Sequence, residues 1–307
     1  MNKKIYDLII LGCGPAGITA AIYSARKKIE FIVISKDVGG QTVYSSSVEN
    51  YTGYQVITGA ELALKFKEHL DMFDIDLRMP EIVKNVKKEG NIFVVTTDRD
   101  TYYSKSVIVA TGRIPRSLGL KEEEKFKGRG LTYCATCDAP LFKDKDVVVV
   151  GGGNSALDAV IQLTKYANNI YIVDIAEKLK ADPIMIEKAF DYPKLKYFPN
   201  SKIIEILGEK FVEGIVLENI NDQSKTELKV QGIFVEIGSI PSSDFVENVA
   251  KNKDGEIIVD CACRTSIEGL FAAGDVTNVF AKQVIIACGE GAKAAISAFE
   301  YLIKSKD

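Results

Sequence analysis

The sequence predicts an α/β protein with two parallel-sheet domains, the second inserted in the first. Two observations carry this prediction: a pattern of strand, glycine-rich turn and helix occurs twice along the chain, and two short segments rich in Pro, Gly and Ser separate the copies. The chain has 307 residues, of which 47% are hydrophobic and 26% are charged. That length and balance suit two globular domains of ordinary size.

The first copy of the pattern lies near the start of the chain. Residues 7–11 predict a buried strand, the G-x-G-x-x-G pattern of residues 12–17 predicts a tight turn, the small residues up to Ala25 predict a helix, and residues 31–34 predict the next strand. The first glycine makes the turn, the second lets the backbone approach a pyrophosphate, and the third lets the helix pack on the strand. The free N–H groups at the helix start would bind the phosphates.

The second copy begins at residue 146. Residues 146–150 predict a strand, the three glycines at 151–153 a turn, the segment up to about Tyr166 an amphipathic helix, and residues 170–173 another strand. One glycine pattern alone is weak evidence for nucleotide binding, whereas two copies in the same strand–helix context are strong. We therefore predict two Rossmann-like nucleotide-binding domains of the three-layer ββα type, the second inserted in the first.

Two closing strands and two linkers define the predicted domain boundaries. Residues 106–112 predict a strand that closes the first unit, and residues 232–238 predict its counterpart in the second. The segments 114–120 and 239–243 have the composition of exposed connections. The chain is therefore predicted to form the first part of one domain, then a complete second domain, and then the remainder of the first domain. The predicted first domain is discontinuous and comprises residues 1–114 and 244–307, and the inserted domain comprises residues 115–243.

A pair of cysteines separated by two residues, Cys134 and Cys137, lies just before the second glycine turn and is followed by Asp138. Thiol–disulfide exchange needs an accessible thiolate as attacker and a second thiol nearby, which two intervening residues at a helix start allow. A zinc knuckle would need a second Cys or His pair, and the sequence has none with suitable spacing. The pair is therefore predicted to be a redox dithiol, and no metal site is expected.

Charge and hydropathy argue against several classes of function. The formal net charge of −3 gives no general attraction to nucleic acid, and the apolar runs are far shorter than the roughly 20 residues of a membrane-spanning helix. The strand pattern begins almost at the N-terminus, which leaves no room for a signal peptide. We therefore expect a cytoplasmic protein with neither a nucleic-acid nor a membrane partner.

Six short motifs occur in an order that resembles the low-molecular-weight, flavin-dependent thioredoxin reductases. The similarity runs from about Tyr6 to Leu302, and the Cys-Ala-Thr-Cys-Asp motif together with Gly-Asp-Val is specific to that family. The resemblance implies FAD in the outer domain, a redox dithiol in the inserted one, thioredoxin as the protein substrate, and a homodimer. The motifs are Gly12-Cys13-Gly14-Pro15-Ala16-Gly17, Gly39-Gly40-Gln41, Val48-Glu49-Asn50, Ala110-Thr111-Gly112, Cys134-Ala135-Thr136-Cys137-Asp138, and Gly274-Asp275-Val276 followed by Gln283.

The resemblance also implies roles for individual residues. Cys134 is the thiol that exchanges with the substrate, Cys137 faces the flavin, and Asp138 donates and accepts the proton of each exchange. Asp275 takes the ribityl chain of FAD, and Gln283 contacts the flavin ring. The rest of the implied FAD site consists of Gly12, Gly14 and Gly17 at the pyrophosphate, Gln41 and Asn50 along the flavin, and Pro15, Ala16, Gly39, Gly40, Ala110, Thr111, Gly112, Gly274 and Val284 as further contacts.

The expected electron-donor site departs from the NADPH-dependent members of the family. Those members have a His-Arg-Arg segment and a further Arg for the 2′-phosphate, whereas this chain has Asp174, Ile175 and Ala176, with Lys180 at the later position. Asp174 lies 21 residues after Gly153, near the spacing at which an acid binds the 2′-OH of NADH. An acid there would repel a 2′-phosphate, so NADPH is the least expected donor.

Glu236 favours a donor other than a pyridine nucleotide, because a negative charge beside a pyrophosphate is unfavourable. One branch of the family, the ferredoxin-dependent flavin thioredoxin reductases of anaerobic bacteria, resembles this pattern, since it keeps FAD and the C-x-x-C pair and lacks the pyridine-nucleotide residues. Reduced ferredoxin is therefore expected ahead of NADH, and both ahead of NADPH. The retained glycine turn at 151–153 is the main observation in favour of a nucleotide, so NADH stays open.

Two interpretations that assign the chain to other functional classes of flavoprotein also stay open. A flavoprotein that passes electrons between ferredoxin and NADP could have the same fold, but it would not need Cys134 and Cys137. A non-enzymatic redox sensor could keep FAD and the dithiol, but it would not need an acid such as Asp138 beside the pair.

Overall fold

The computed structural model describes residues 4–45, 48 and 50–304, so Glu49 of the third motif lies outside the described residues. The chain divides into two compact units. One comprises Met1–Val43, Glu49–Ile114 and Ile240–Asp307, and the other comprises Tyr44–Val48 and Pro115–Ser239. The first unit resumes at Ile240, within a short strand at Ser239–Pro241, and the domain boundaries expected from the sequence stay predictions.

Strands and helices alternate through most of the chain. The strands are β1 (Ile5–Leu11), β2 (Phe31–Ile34), β3 (Asp76–Arg78), β4 (Val83–Glu89), β5 (Ile92–Thr97), β6 (Thr101–Val109), β7 (Arg113–Pro115), β8 (Leu131–Thr132), β9 (Val147–Val150), β10 (Ile170–Val173), β11 (Leu195–Phe198), β12 (Ser201–Leu207), β13 (Gly214–Asn219), β14 (Lys225–Leu228), β15 (Gly232–Val235), β16 (Ser239–Pro241) and β17 (Leu270–Ala272). The α-helices are α1 (Pro15–Arg26), α2 (Gly59–Leu70), α3 (Glu123–Phe126), α4 (Ala135–Asp138), α5 (Asn154–Leu163), α6 (Pro183–Phe190) and α7 (Val284–Lys304), and 3-10 helices cover Gly40–Tyr44, Ala139–Phe142 and Gly274–Val276. None of the helices in the described part of the chain combines the length and apolar character that a membrane crossing requires.

The first unit is built around a parallel sheet of order β3-β2-β1-β6, with β17 also beside β6, and β5 and β4 continue from β6 as an antiparallel meander. Successive residues of β1 point to opposite faces of the sheet. Leu8 and Ile10 pack with residues of α1 and α7, whereas Ile9 and Leu11 pack with residues of the meander. Helices, sheet and meander therefore form the three layers that the sequence predicts.

The glycine turn after β1 brings α1 close to the sheet and to α7. Gly12 has a φ of +101°, and a Cβ on Gly17 would lie 1.9 Å from the Gly12 carbonyl oxygen. On α7, a Cβ on Gly291 would lie 2.1 Å from the carbonyl oxygen of Ala16. No side chain fits at either contact, so glycine at both positions lets α1 approach its neighbours at backbone distance.

The second unit contains a five-stranded parallel sheet of order β11-β10-β9-β15-β8 and a separate antiparallel sheet of order β12-β13-β14. Within it, β9, α5 and β10 repeat the arrangement of β1, α1 and β2. In both copies, the first glycine of the turn lies against the residue that follows the closing strand. A Cβ on Gly12 would lie 2.4 Å from the Ala110 carbonyl oxygen, and a Cβ on Gly151 would lie 2.4 Å from the Glu236 carbonyl oxygen. The predicted internal repeat is therefore confirmed.

Candidate active site

A disulfide joins Cys134 and Cys137, whose Cα atoms lie 5.4 Å apart. Cys134 is the N-cap of α4, and Cys137 lies within that helix. The backbone N–H of Asp138 donates to the Cys134 carbonyl at 3.2 Å, which closes the turn around the pair. The two cysteines are thus bonded as a redox disulfide requires. Among the described residues, no cluster of three or more His, Cys, Asp or Glu side chains is arranged to hold a metal ion.

Asp138 has a buried carboxyl, with 3% of the residue exposed. The carboxylate accepts a hydrogen bond from the Thr132 hydroxyl, and the oxygen of that hydroxyl accepts one from the Cys134 N–H at 3.1 Å. A cavity of about 250 Å³ borders Asp138 and Thr132, together with Leu141 and Lys145. The carboxyl therefore has a hydrogen-bonded link to the Cys134 backbone and a cavity beside it, an arrangement that can hold and move a proton.

Polar side chains that were not expected from the sequence contact α4, the redox helix that begins after Cys134 and contains Cys137. Gln162 donates to the Thr136 hydroxyl at 3.3 Å and to Asp158 at 2.6 Å. Ser45, which belongs to the same unit, donates its hydroxyl to Cys137 Sγ at 3.5 Å. These residues are distant from the dithiol in sequence and belong to no motif, so only the fold identifies them.

Glu236 directly follows β15, and its carboxyl interacts with the redox helix. Burial raises the pKa of this carboxyl to about 7; a hydrogen bond from the Ala135 N–H opposes the rise, and the negative charge of Asp158 adds to it. Ala135 is the residue after Cys134. From the sequence, Glu236 is expected as a charge beside a bound nucleotide, whereas in the structure its carboxyl interacts with the start of α4.

The residues expected at an FAD pyrophosphate surround the start of α1. Gly14 is the N-cap of this helix and supplies no side-chain hydrogen bond, and Pro15 occupies the first helical position. A Cβ on Gly40 would lie 3.3 Å from the Gly14 Cα, so the turn at Gly39 and Gly40 lies against the glycine turn. The start of α1 thus has no side-chain cap and lies close to the backbone of Gly40, which fits an anionic diphosphate.

Asp275 follows Gly274 just after β17. Burial raises the pKa of its carboxyl, and the positive charges of Lys282 and Arg113 oppose that rise. Within the described part of the chain, no donor forms a hydrogen bond to this carboxylate. A Cβ on Gly274 would lie 3.0 Å from the Cβ of Ala16, which brings the segment next to the start of α1. A partly buried acceptor that receives no hydrogen bond from the described residues fits a hydroxyl-bearing ligand such as a ribityl chain.

Charged residues that the sequence analysis does not single out lie near Asp275. Glu256 forms ion pairs with Arg113 at 2.6 Å and with Lys282 at 3.0 Å. The Arg113 carbonyl also accepts a hydrogen bond from the side chain of Gln41. Arg113 directly follows the Ala-Thr-Gly motif and Lys282 directly precedes Gln283, so proximity to these motifs could have identified both cations. Glu256 adjoins none of these motifs, so the sequence alone would not have identified it.

Other residues of the implied FAD site are brought together in the first unit. The Asn50 side chain donates to the Gln283 side chain at 3.0 Å, and the Thr111 hydroxyl donates to the Ser242 carbonyl at 2.6 Å. Val284 is the first residue of α7. Every residue expected to hold FAD therefore belongs to the first unit, and the individual roles stay predictions.

The second glycine turn faces an acid. Asp174 follows β10; one of its carboxylate oxygens accepts from the Ala176 N–H at 2.6 Å, and the other lies 2.7 Å from the place where a Cβ on Gly152 would stand. The Lys180 N–H donates to the Gly152 carbonyl at 2.7 Å, while the Lys180 residue is exposed. The loop between β10 and α6 contains no arginine. A 2′-phosphate would therefore meet a carboxylate at this turn.

The sequence matches the family described as pyridine nucleotide-disulphide oxidoreductase over residues 6–292. It is 41% identical over 303 residues to the 34.2 kDa protein in rubredoxin operon of Clostridium pasteurianum, and the match covers 98% of each chain. It is also 38% identical over 305 residues to NADH dehydrogenase of Bacillus subtilis (strain 168), with 99% of this chain covered. The chain spans 60% of the length of that relative, so this match concerns only part of it.

Solved structures with the same fold cover both units. Thioredoxin reductase from Streptococcus pyogenes MGAS5005 is 37% identical with a TM-score of 0.88, and the match covers 99% of this chain and 100% of that one. Ferredoxin-flavin thioredoxin reductase from Clostridium acetobutylicum is 34% identical with a TM-score of 0.55, with the same coverage of 99% and 100%. Both similarities extend over nearly the whole of the chains compared.

Proposed function

This chain belongs to the pyridine nucleotide-disulphide oxidoreductase family, and we propose that it is an FAD-dependent disulfide reductase that reduces thioredoxin through Cys134 and Cys137. The observation that carries the proposal is the Cys134–Cys137 disulfide beside a buried carboxyl, with Thr132 linking the Cys134 backbone to Asp138. The similarity to thioredoxin reductases over the whole chain supports the same substrate class. The expected homodimer and the cytoplasmic location stay predictions.

Exchange with a protein disulfide takes place in two displacements. The Cys134 thiolate attacks one sulfur of the thioredoxin disulfide, forms a mixed disulfide, and displaces the other sulfur as a thiolate that takes up a proton. The Cys137 thiolate then attacks the Cys134 sulfur, which restores the Cys134–Cys137 disulfide and releases the second thioredoxin thiol. One protein disulfide is reduced for each dithiol oxidised, and the two protons of the dithiol pass to the product.

We propose that Asp138 handles these protons. Its carboxyl is buried, accepts the Thr132 hydroxyl hydrogen bond, and lies beside a cavity of about 250 Å³, large enough to hold water. We infer that the carboxylate takes the proton as each thiol ionises and returns it to the departing thiolate.

The first unit fits FAD as the source of electrons. The uncapped start of α1 fits the pyrophosphate, and the Asp275 carboxylate, which receives no hydrogen bond from the described chain, fits a ribityl hydroxyl. Gln41, Asn50 and Gln283 would lie along the flavin. Bound FAD would supply the two electrons that open the disulfide.

Reduced ferredoxin is the proposed electron donor. Asp174 lies against the second glycine turn, where an NADPH-dependent enzyme needs positive charge. Without arginines, a 2′-phosphate loses charge-assisted hydrogen bonds worth about 1.5–3 kcal/mol each. Glu236 would add less repulsion than an exposed acid, because burial raises the pKa of its carboxyl to about 7. A protein donor needs a docking surface and no nucleotide pocket, and the similarity to a ferredoxin-flavin thioredoxin reductase supports this choice.

NADH is the second candidate donor, and one observation favours it. The Asp174 carboxylate follows β10 and faces the glycine turn, which is where an acid would accept hydrogen bonds from the ribose hydroxyls of NADH. The relative named NADH dehydrogenase is consistent with this alternative, although the present chain spans only 60% of that protein.

Anaerobic reduction of the flavin by separate donors tests the proposal. The oxidised, FAD-loaded protein is mixed with NADPH, NADH or reduced ferredoxin at equal concentrations, and the loss of flavin absorbance is followed. Reduced rubredoxin forms a fourth sample, because a relative is named for a rubredoxin operon. We expect rapid reduction by ferredoxin and slow reduction by both nucleotides.

The Asp174→Ala variant separates the two candidate donors. If ferredoxin is the donor, the variant is reduced by ferredoxin as fast as the unmodified protein. If NADH is the donor, loss of the carboxylate should slow reduction by NADH about tenfold or more, because a charge-assisted hydrogen bond to the ribose is lost. Rapid reduction of the unmodified protein by NADPH would contradict both alternatives.

A further inference from the structure

The cavity beside Asp138 lies entirely within the second unit and extends from buried polar groups to exposed side chains. Asp138 and Thr132 are its buried polar members, 3% and 7% exposed. The exposed side chains of Leu141, Lys145 and Phe211 also line it. Its volume of about 250 Å³ accommodates several water molecules. The cavity therefore connects a buried acid with the surface of this unit.

The lining of the cavity suits water. Water occupies a cavity whose walls offer it hydrogen bonds, whereas an apolar cavity of similar size stays dry. Asp138, Thr132, Lys145 and Gln231 each contribute a polar side chain to the walls. The Gln231 side-chain oxygen accepts the backbone N–H of Asp146 at 3.1 Å, which holds this side chain in place. Waters in the cavity can therefore form a hydrogen-bonded chain from exposed Lys145 and Gln231 to the buried carboxyl.

This access to solvent does not run along the two sulfur atoms. Neither Cys134 nor Cys137 is among the described residues that line the cavity. Thr132 forms the link between the cavity and the dithiol, because its hydroxyl donates to the Asp138 carboxylate and accepts the Cys134 N–H at 3.1 Å. The acid can thus exchange protons with water on one side and serve the dithiol on the other.

The overall reaction requires protons from solvent. Reduction of one disulfide to two thiols takes up two electrons and two protons. A donor that supplies electrons alone, as ferredoxin does, brings neither proton, and NADH brings one proton with its hydride. With either candidate donor, at least one proton per disulfide must therefore enter the protein from water.

We propose that this cavity is the route by which solvent protons reach Asp138 and, through it, the dithiol, with the exposed Lys145 and Gln231 at its entrance. The inference rests on the proposed disulfide reductase function and deepens it, because it assigns the proton supply of the same dithiol.

Filling the cavity tests the route. Val212 lines the cavity and is 2% exposed, so the larger ring of Val212→Phe has the cavity as its available space. The FAD-loaded protein is supplied anaerobically with reduced methyl viologen, which brings electrons without protons, and with hydroxyethyl disulfide as the acceptor. Turnover is followed by loss of the viologen colour. We expect turnover of Val212→Phe to be about tenfold slower than that of the unmodified protein, because proton uptake becomes limiting.

A single exchange separates slow proton uptake from damage to the dithiol. Protein that has been reduced with dithiothreitol and freed of it already carries the protons of its dithiol. Its first exchange with hydroxyethyl disulfide therefore takes none from solvent. Rapid acid quenching and measurement of the released mercaptoethanol give the rate. Val212→Phe should complete this first exchange as fast as the unmodified protein.

A second pair of variants acts at the exposed end of the cavity. Gln231→Trp narrows that end and keeps the inference testable if Val212→Phe does not fold. Lys229→Trp is the matched control, because Lys229 is also exposed and is not among the described residues that line the cavity. We expect slower turnover in Gln231→Trp and unchanged turnover in Lys229→Trp.

Chemical rescue tests whether solvent reaches the position of the acid. Asp138→Ala should lower turnover, and added formate should raise it again by about tenfold, because formate enters the cavity and supplies a carboxyl there. In the double variant Asp138→Ala with Val212→Phe, formate should restore none of the activity.

Unchanged turnover in folded Val212→Phe and Gln231→Trp would overturn the inference, as would equal slowing of turnover and of the first exchange. Equal rescue by formate with and without Val212→Phe would also overturn it. Absence of turnover in the unmodified protein would instead contradict the proposed disulfide reductase function. Neither thioredoxin nor ferredoxin takes part in the assay, so its result is independent of both partners.

Discussion

Replacing Cys134 with serine is expected to abolish the reduction of oxidised thioredoxin, with turnover lower by at least about 10³-fold, because a serine hydroxyl cannot form the mixed disulfide. FAD binding should persist, since Cys134 belongs to the second unit and every residue expected to hold FAD belongs to the first. The measurement is the appearance of thioredoxin thiols under anaerobic turnover, with the flavin content of each preparation determined in parallel.

Cys137→Ser should have a different outcome from Cys134→Ser. It leaves Cys134 able to attack but removes the thiol that resolves the mixed disulfide, so a covalent complex with thioredoxin should accumulate and should be released by dithiothreitol. Cys261→Ser is the matched control, because Cys261 is an exposed free cysteine. If Cys134→Ser trapped thioredoxin and Cys137→Ser did not, the two roles would be the reverse of those assigned.

Asp275→Ala is expected to weaken FAD binding about 10- to 100-fold, which corresponds to the loss of one or two hydrogen bonds to a charged acceptor. The physical reason is that the Asp275 carboxylate is partly buried and receives no hydrogen bond from the described chain, so a ligand hydroxyl would be its donor. Flavin retained per chain after dialysis, followed by titration of the apoprotein with FAD, measures the effect.

Asp174→Ala provides the matched control for FAD binding. It also removes a carboxylate beside a glycine turn, but that turn belongs to the second unit. We expect Asp174→Ala to retain FAD at the level of the unmodified protein. Equal loss of FAD from both variants, or full retention by Asp275→Ala, would show that the first glycine turn and Asp275 do not form the flavin site.

Local patterns were sufficient to predict the fold, because each strand and turn carries its own signal. The strands predicted at 31–34 and 170–173 coincide with β2 and β10, and the matches to solved structures confirm two Rossmann-like domains and the resemblance to thioredoxin reductases. Element ends were less predictable. The helix expected to reach Tyr166 ends at Leu163, because the Tyr166 N–H bonds to the Leu163 carbonyl in a tighter turn.

Contacts between distant segments could not be predicted, since neither partner carries a local signal for the other. The proximity of Glu236 to Ala135 depends on β15 lying beside β8, the strand that ends three residues before Ala135. The ion pair between Arg113 and Glu256 likewise joins residues 143 positions apart. Family resemblance supplies the motif residues of a site, whereas the residues that tune them emerge only from the folded chain.

A single turnover without added electron donor tests the central claim that electrons pass from bound flavin through Cys134 and Cys137 to thioredoxin. The FAD-loaded protein is reduced anaerobically with dithionite, freed of excess reductant, and mixed with oxidised thioredoxin, while flavin absorbance and thioredoxin thiols are followed together. We expect oxidised flavin to return with about four thioredoxin thiols formed per flavin, because the reduced flavin and the reduced Cys134/Cys137 dithiol each carry two electrons, and we expect Cys134→Ser to form none. Reduced flavin that persists beside oxidised thioredoxin in the unmodified protein would contradict the account.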